Sequence, residues 1–468
     1  MKKIAVFIVF LFGVGLLGGP VLAGDAYSER VETHYEISWD GSANMTIITT
    51  LYGPGNMLNQ TKESILKQGV ENASQLYLKQ EVQKLAQKGI NLENGSVEFE
   101  GYNSTGPLKI IVRGKALGVA KYYTYGKVWE IDLDLLRTAE LSQINPTKLN
   151  QTLDLDNVYV ISLPTDANVI TIPQNYSVTA GNSYVKIEAN RTGNKIFLES
   201  HIYLAKGVTM DEINKLYANP RAFVIQYSGH KGSEGNYTVY KLRITNNITV
   251  GKEETVMDTV DEYLEPQDYI NYLKFQLSYQ GEQAAIQNLY RSYAKAFQSQ
   301  GIGIKGWNIS FGNLQSKGPL IVKFHWVLTN YTKSSNGTYT YEYDPTLGLG
   351  NIPSLHRLSA EVDQEVTTHI TLPNGAKFTE IPNDINVTVN GSSVIMKVEK
   401  LSDHEIIIHS RVFLRYGMYT NDYKNMMKEI PTKLEFRYTL SSGGSSICGP
   451  AFIVGLAILP LLFIRRRK

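Results

Sequence analysis

Compared with itself, the chain repeats at one fixed offset. Gln68-Gly69 recurs as Gln280-Gly281, Gly89-Ile90 as Gly301-Ile302, and Gly106-Pro107-Leu108 as Gly318-Pro319-Leu320, each pair 212 residues apart. At that offset residues 68–135 align with 280–347 without a gap, adding Ala73/Ala285, Gln75/Gln287, Phe99/Phe311, Glu130/Glu342 and Asp132/Asp344. Further on, small insertions intervene between matches such as Leu163-Pro164 with Leu372-Pro373, Ser200 with Ser410, Gly207 with Gly417 and Tyr227 with Tyr438. Self-similarity of this kind predicts a tandem duplication of two homologous domains, 27–228 and 232–440.

Each copy opens on an alternating strand pair, Tyr35 to Trp39 and Met45 to Tyr52 in the first, with Gly41-Ser42 as the turn. A helical stretch follows. Ile65, Leu66, Val70, Ala73, Leu76, Tyr77, Leu85 and Ala86 fall near a 3.6 period, as do Leu277, Ala285, Leu289, Tyr290, Tyr293 and Phe297. Gly69 and Gly281 interrupt these runs, which predicts two helices per copy, and Gly89 and Gly301 read as their C-terminal caps. Alternating runs then predict a mainly antiparallel sheet, closed by a short helix near Met210 to Tyr217 and a strand at Ala222 to Tyr227. Strands grouped together and not alternating with helices give the class α+β.

The ends carry a different signal. Lys2 and Lys3 precede an apolar run and the small-residue site Gly18 to Ala23, which reads as a signal peptide, 1–23, cleaved after Ala23. Ile447 to Ile464 is apolar throughout and meets Arg465, Arg466, Arg467 and Lys468, the pattern of a single membrane-anchor segment with a basic cytoplasmic end at 465–468. Residues 441–446 form a short Ser/Gly linker, so the body is expected outside the membrane and close to it. Setting aside Lys2, Lys3 and the four terminal cations leaves 40 Lys plus Arg against 44 Asp plus Glu. That balance excludes nucleic acid as an expected partner and leaves membrane attachment to the tail. The only cysteine is Cys448, so the body must be stabilised by packing alone. Fifteen sequons, among them Asn59, Asn72, Asn236 and Asn386, mark an expected glycoprotein.

The segment SSGGSSICGPAFIVGLAILPLLFIRRRK, with Cys448-Gly449-Pro450 at the start of its apolar run, resembles the CGP-CTERM sorting domain of Thermococcales surface proteins. The resemblance implies anchoring at the archaeal cell surface, with Cys448 as a processing or lipid-attachment point. It implies nothing about the body.

No GxSxG, HExxH or Walker loop is present. His404 and His409 form the only close histidine pair, but five-residue spacing on a strand turns them to opposite faces. Glu365 and His369 fall in a run that reads as strand, and Asp258, Asp261, Glu262, Glu265 and Asp268 read as charge placed ahead of a helix. The tyrosines Tyr122, Tyr123 and Tyr125 either stack on sugars or cover a sheet. The pair Glu130 and Asp132, with Glu342 and Asp344, puts two carboxylates on one strand face in each copy, a candidate calcium site if loop carbonyls complete it. The expected function is a non-catalytic surface module binding a glycan, a peptide or an envelope protein. Its alternatives are a surface hydrolase using loop carboxylates and a structural envelope component.

Overall fold

The computed structural model describes residues 26–440, apart from 54, 138–150, 218–222, 252, 336–337 and 350–355. The chain divides between Gly235 and Asn236 into two compact units. Ala23, Cys448 and the expected anchor lie outside the described residues, within which no helix is long and apolar enough to cross a membrane.

Unit 1 runs β1 (Tyr27–Ile37), β2 (Ala43–Gly53), α1 (Gly55–Gln68), α2 (Val70–Gln87), β3 (Asn91–Glu100), β4 (Leu108–Leu117), β5 (Lys121–Tyr123), β6 (Val128–Leu133), β7 (Leu153–Ser162), β8 (Asn168–Thr171), β9 (Tyr176–Ala180), β10 (Ser183–Thr192), β11 (Lys195–Leu204), α3 (Met210–Leu216) and β12 (Phe223–Ser228). Eight strands form one sheet in the order β3-β4-β2-β1-β7-β11-β10-β9, and four form a second, β5-β6-β12-β8. The ladders are antiparallel except for the central pair β1–β7, whose parallel register needs a long crossover that the helices and β3–β6 supply. Strand alternation splits the large sheet into two faces. On β11, Ile196, Leu198, Ser200, Ile202 and Leu204 are buried, whereas Lys195, Phe197 and Glu199 are exposed. The inner face joins Ile131, Leu133 and Ile225 of the small sheet and Ala73, Tyr77 and Leu85 of α2 in one core. The outer face carries polar contacts such as the ion pair of Arg30 with Glu32 at 2.8 Å and the hydrogen bond between His201 and Asp154 at 2.7 Å.

Unit 2 runs β13 (Thr238–Val250), β14 (Glu254–Glu265), α4 (Gln267–Gln280), α5 (Glu282–Ser299), β15 (Gly303–Gly312), β16 (Leu320–Thr329), β17 (Lys333–Ser335), β18 (Thr338–Tyr343), β19 (Ala360–Thr371), β20 (Ala376–Glu380), β21 (Ile385–Val389), β22 (Ser392–Ser402), β23 (Glu405–Leu414), α6 (Thr420–Lys428) and β24 (Leu434–Leu440). Its sheets are ordered β15-β16-β14-β13-β19-β23-β22-β21 and β17-β18-β24-β20, again with one parallel pair, β13–β19. Mixed α+β architecture with two large eight-stranded sheets is therefore the observed class.

The helix punctuation follows the glycines. Gly69 and Gly281, at φ 81° and 83°, separate α1 from α2 and α4 from α5 with a backbone that a Cβ would strain. At the end of α2, Gly89 N–H donates to Ala86 O and Ile90 N–H to Leu85 O. Gly301 and Ile302 make the same bonds to Gln298 and Phe297, a Schellman closure in both units. The apolar stripe is less complete than its period suggests, since Leu66, Val70 and Leu76 stay exposed.

One packing device escaped the sequence reading. Lys62 of α1 is buried, and its Nζ donates to Ser104 O at 2.9 Å and Gly106 O at 2.6 Å. Lys274 of α4 donates to Ser316 O at 2.8 Å and Gly318 O at 2.9 Å. A buried ammonium is tolerated only when its protons find acceptors, and here two loop carbonyls act as its ligands. Each lysine thus ties the loop joining two sheet strands, β3–β4 or β15–β16, to the first helix of its unit.

Candidate functional site

Glu130 and Asp132 stand on β6 as expected, but their environments differ. Glu130 is buried and accepts a 2.7 Å hydrogen bond from Gln226 Nε2, while Asp132 is exposed. Glu342 is buried on β18 and pairs with Lys433 at 3.1 Å. Asp344 lies beyond the strand end, where Oδ1 accepts from Thr346 N–H and Oγ1–H and Oδ2 from Gly348 N–H. The two pairs are also not structural counterparts. Tyr123 pairs with Val128 across a four-residue connection, whereas Ser335 pairs with Thr338 across two. The shorter hairpin moves the strand register by two. Asp132 opposes Val224 and Glu342 opposes Glu435, so Glu342 takes the place of Asp132 and Asp344 that of Asp134. The ungapped alignment is thus corrected past residue 123, and a carboxylate pair repeated as Glu-X-Asp loses its basis. Among the described residues no group of three or more His, Cys, Asp or Glu side chains converges as a metal site would require.

The remaining sequence candidates resolve into structure. Tyr122 and Tyr125 are buried, Tyr122 against Trp129 at 5.4 Å. His404 sits in the turn before β23, beside Ser402, while His409 on β23 faces Thr367. His369 and Glu365 lie on β19 as expected, His369 bonded to Glu405 at 2.7 Å. Asp258, Asp261, Glu262 and Glu265 belong to β14 itself. Asp261 is the exceptional one: it faces the core at 1% exposure, its Oδ1 has no hydrogen-bond partner, and burial pushes its carboxyl up to about 8. Its counterpart by strand register, opposite Ile110 as Asp261 is opposite Val322, is Thr49.

Two surface constellations remain. In the first, residues 229–235 are part of unit 1, although the sequence boundaries put 229–231 between the domains and 232–235 at the start of the second. Trp129 Nε1–H donates to His230 O at 2.9 Å, and Glu234 Oε1 accepts from Thr124 N–H and Oγ1–H. A Cβ at Gly232 would lie 2.4 Å from Trp129, so only glycine lets this segment close over the indole. There Asp166 accepts from Trp39 Nε1–H at 2.9 Å and bonds His230 Nε2 at 2.7 Å, and these two bonds, Trp39's foremost, hold its carboxyl below the usual range. Trp39 packs between His230 and Tyr227, with centroids at 4.9 and 5.7 Å. No hydroxyl or thiol nucleophile touches this imidazole among the described contacts. The histidine therefore serves to hold the segment.

The second constellation lies on α4. Tyr272, Phe275 and Tyr279 fall at i, i+3 and i+7, on one helical face, with exposures of 49%, 61% and 80%. Phe275 and Tyr279 stack at 5.9 Å. The positions 212 residues earlier on α1 are Gln60, Glu63 and Lys67, of which the last two form an ion pair at 3.1 Å. Spacing and contrast are both legible in the sequence, but the 3.6-residue stripe Leu277, Ala285, Leu289, Tyr290, Tyr293 and Phe297 does not include these three residues.

By contrast, the cavity lined by Asn246, Gln364, Thr368 and Asp344 inside unit 2 measures about 20 Å³, room for a water molecule and not for a ligand.

No family model matches the chain, and no curated protein is similar to it at a significant level. Among solved structures, a crystal structure from Parabacteroides distasonis described as a "putative protease" aligns over 89% of this chain and 99% of that one. At 8% identity and a TM-score of 0.21 that likeness carries no argument.

Proposed function

We propose that the chain is a tandem duplication displayed on the outer side of a membrane, and that it recognises a partner without chemistry through the exposed aromatic face of α4. The observation that carries this reading is the contrast between the units. One helix position in the fold is occupied by Gln60, Glu63 and Lys67 in unit 1 and by Tyr272, Phe275 and Tyr279 in unit 2. Large aromatic rings left in water are a cost that a purely structural helix has no reason to keep. The shared sheet order, the two lysine clasps and the paired glycine caps support the duplication. The signal segment ending at Ala23, the apolar segment 447–464 and Cys448 support export and C-terminal anchoring.

The test uses the full chain and a variant carrying Tyr272→Gln, Phe275→Glu and Tyr279→Lys, residues already proven on this helix in unit 1. Both are incubated with arrays of glycans, peptides and generic hydrolase substrates. Retention by the native chain alone, without turnover, is the expected result; turnover that survives in the variant would replace this reading with the hydrolase. For the anchor, Cys448→Ser is expected to alter membrane retention or the mass of the processed tail.

A further inference from the structure

We infer that the ligand of the α4 face is a neutral sugar chain, a conclusion that rests on the recognition reading above. Charge is the first argument. The exposed side chains of α4 are Gln267, Asp268, Asn271, Tyr272, Phe275, Ser278, Tyr279 and Gln280, with Asp268 as the only ionised group among them. Lys274, the helix's one cation, is turned inward onto Ser316 and Gly318. With Asp268 as its one charge and no exposed cation, the face has nothing that selects a polyanion, an acidic peptide or an anionic lipid headgroup.

What the face does offer is ring planes bordered by hydroxyls and amides. Tyrosine combines an apolar ring with a polar tip, and the stacked Phe275 and Tyr279 present adjoining ring surface. A pyranose has the complementary chemistry: a face of C–H bonds, slightly positive, that rests on the negative face of an aromatic ring, and an equatorial rim of hydroxyls that amides and phenols can bond. The seven-residue spacing of Tyr272 and Tyr279 covers about 10 Å of helix, the scale of a short oligosaccharide.

Size argues against a second copy as occupant. Three rings exposed to this degree present roughly 400 Å² in all, taking about 200 Å² for each ring when fully exposed. A stable interface needs about 800 Å² on each partner. The equivalent face of unit 1 offers no ring to such a ligand, since Gln60, Glu63 and Lys67 stand there, the last two as an ion pair.

Affinity electrophoresis through gels holding mannan, laminarin or polygalacturonate, with a peptide array and light scattering run in parallel, tests the inference. The native chain should be retarded by a neutral polysaccharide, and the variant Tyr272→Gln, Phe275→Glu, Tyr279→Lys should bind it about tenfold or more weakly. Tyr279→Phe, which keeps the ring, should retain most of the retardation. Equal retardation of native and triple-variant chains, or retardation by polygalacturonate alone, overturns the inference. Loss of a peptide signal in the variant, with no polysaccharide effect, overturns the sugar class but preserves recognition by this face. A native dimer that the variant dissolves overturns it in favour of self-association, and silence in every assay removes the recognition reading itself.

Discussion

Replacing Asp261 should stabilise unit 2, and by an amount that depends on pH. The carboxyl faces the core from the middle of β14, with Oδ1 lacking a partner and with Tyr263 and Tyr293 near enough that its charge adds to burial in making their phenols harder to ionise. Burial lifts its titration from the ordinary 3.8 to about 8. The folded state then holds a proton that the unfolded state gives up between those values, so stability falls as pH rises across that window and levels off above it. At about 1.36 kcal/mol for each unit, the cost at pH 7 is on the order of 4 kcal/mol. Asp261→Thr installs the residue found at the register-equivalent Thr49, which is buried too. Guanidinium unfolding at pH 4.5 and pH 9, followed by tryptophan fluorescence, should show a variant whose advantage over the native chain is small in acid and several kcal/mol in base. An advantage of the same size at both pH values would refute the reasoning, because it would mean that the carboxylate ionises in the folded state as freely as in water.

Lys62→Met and Lys274→Met should each lower unfolding free energy by about 1–3 kcal/mol, since two loop carbonyls lose a charged donor; unequal costs beyond about 1 kcal/mol would mean that the clasps are not equivalent devices. Gly232→Ala should drive residues 229–235 off Trp129, costing about 1–3 kcal/mol and opening Lys231 to trypsin, which limited proteolysis reads directly. Millimolar calcium should leave the unfolding midpoint unchanged, because Asp344 and Glu342 already hold protein donors; a rise that disappears in Asp344→Asn would restore the cation site.

Much of the local architecture was legible because it is written in short-range terms. Strand runs such as Lys195 to Leu204, the break at Gly69 and the cap at Gly89 depend on neighbours within one turn or one strand. The parallel pairing of β1 with β7 was not, since Tyr27 meets Leu153 only after the intervening chain has built another layer. The Trp39–Asp166–His230 cluster draws on residues 127 and 64 positions apart and leaves no local trace. Lys62 and Lys274 did leave one, an identity at the same 212 offset, but it sits just upstream of the ungapped block. The carboxylates misled for the opposite reason. Glu and Asp recur at 130/342 and 132/344, yet the hairpin between β5 and β6 is two residues longer than that between β17 and β18, so sequence identity and spatial equivalence part there.

That difference of two has a parity. Side chains alternate across a strand with period two, so shortening a hairpin by an even number slides the following strand along its partner without turning it over. Trp129, Ile131 and Leu133 face the core of unit 1, and after the slide Tyr341 and Tyr343 still face that of unit 2, although every cross-strand partnership has been reassigned. An odd change would have turned the same aromatics to the face that holds Glu130 and Glu342 and brought those carboxylates into the core. The hairpin is thus a place where the fold can drift in length by whole pleats, exchanging which residues meet while leaving the inside and the outside of the sheet undisturbed.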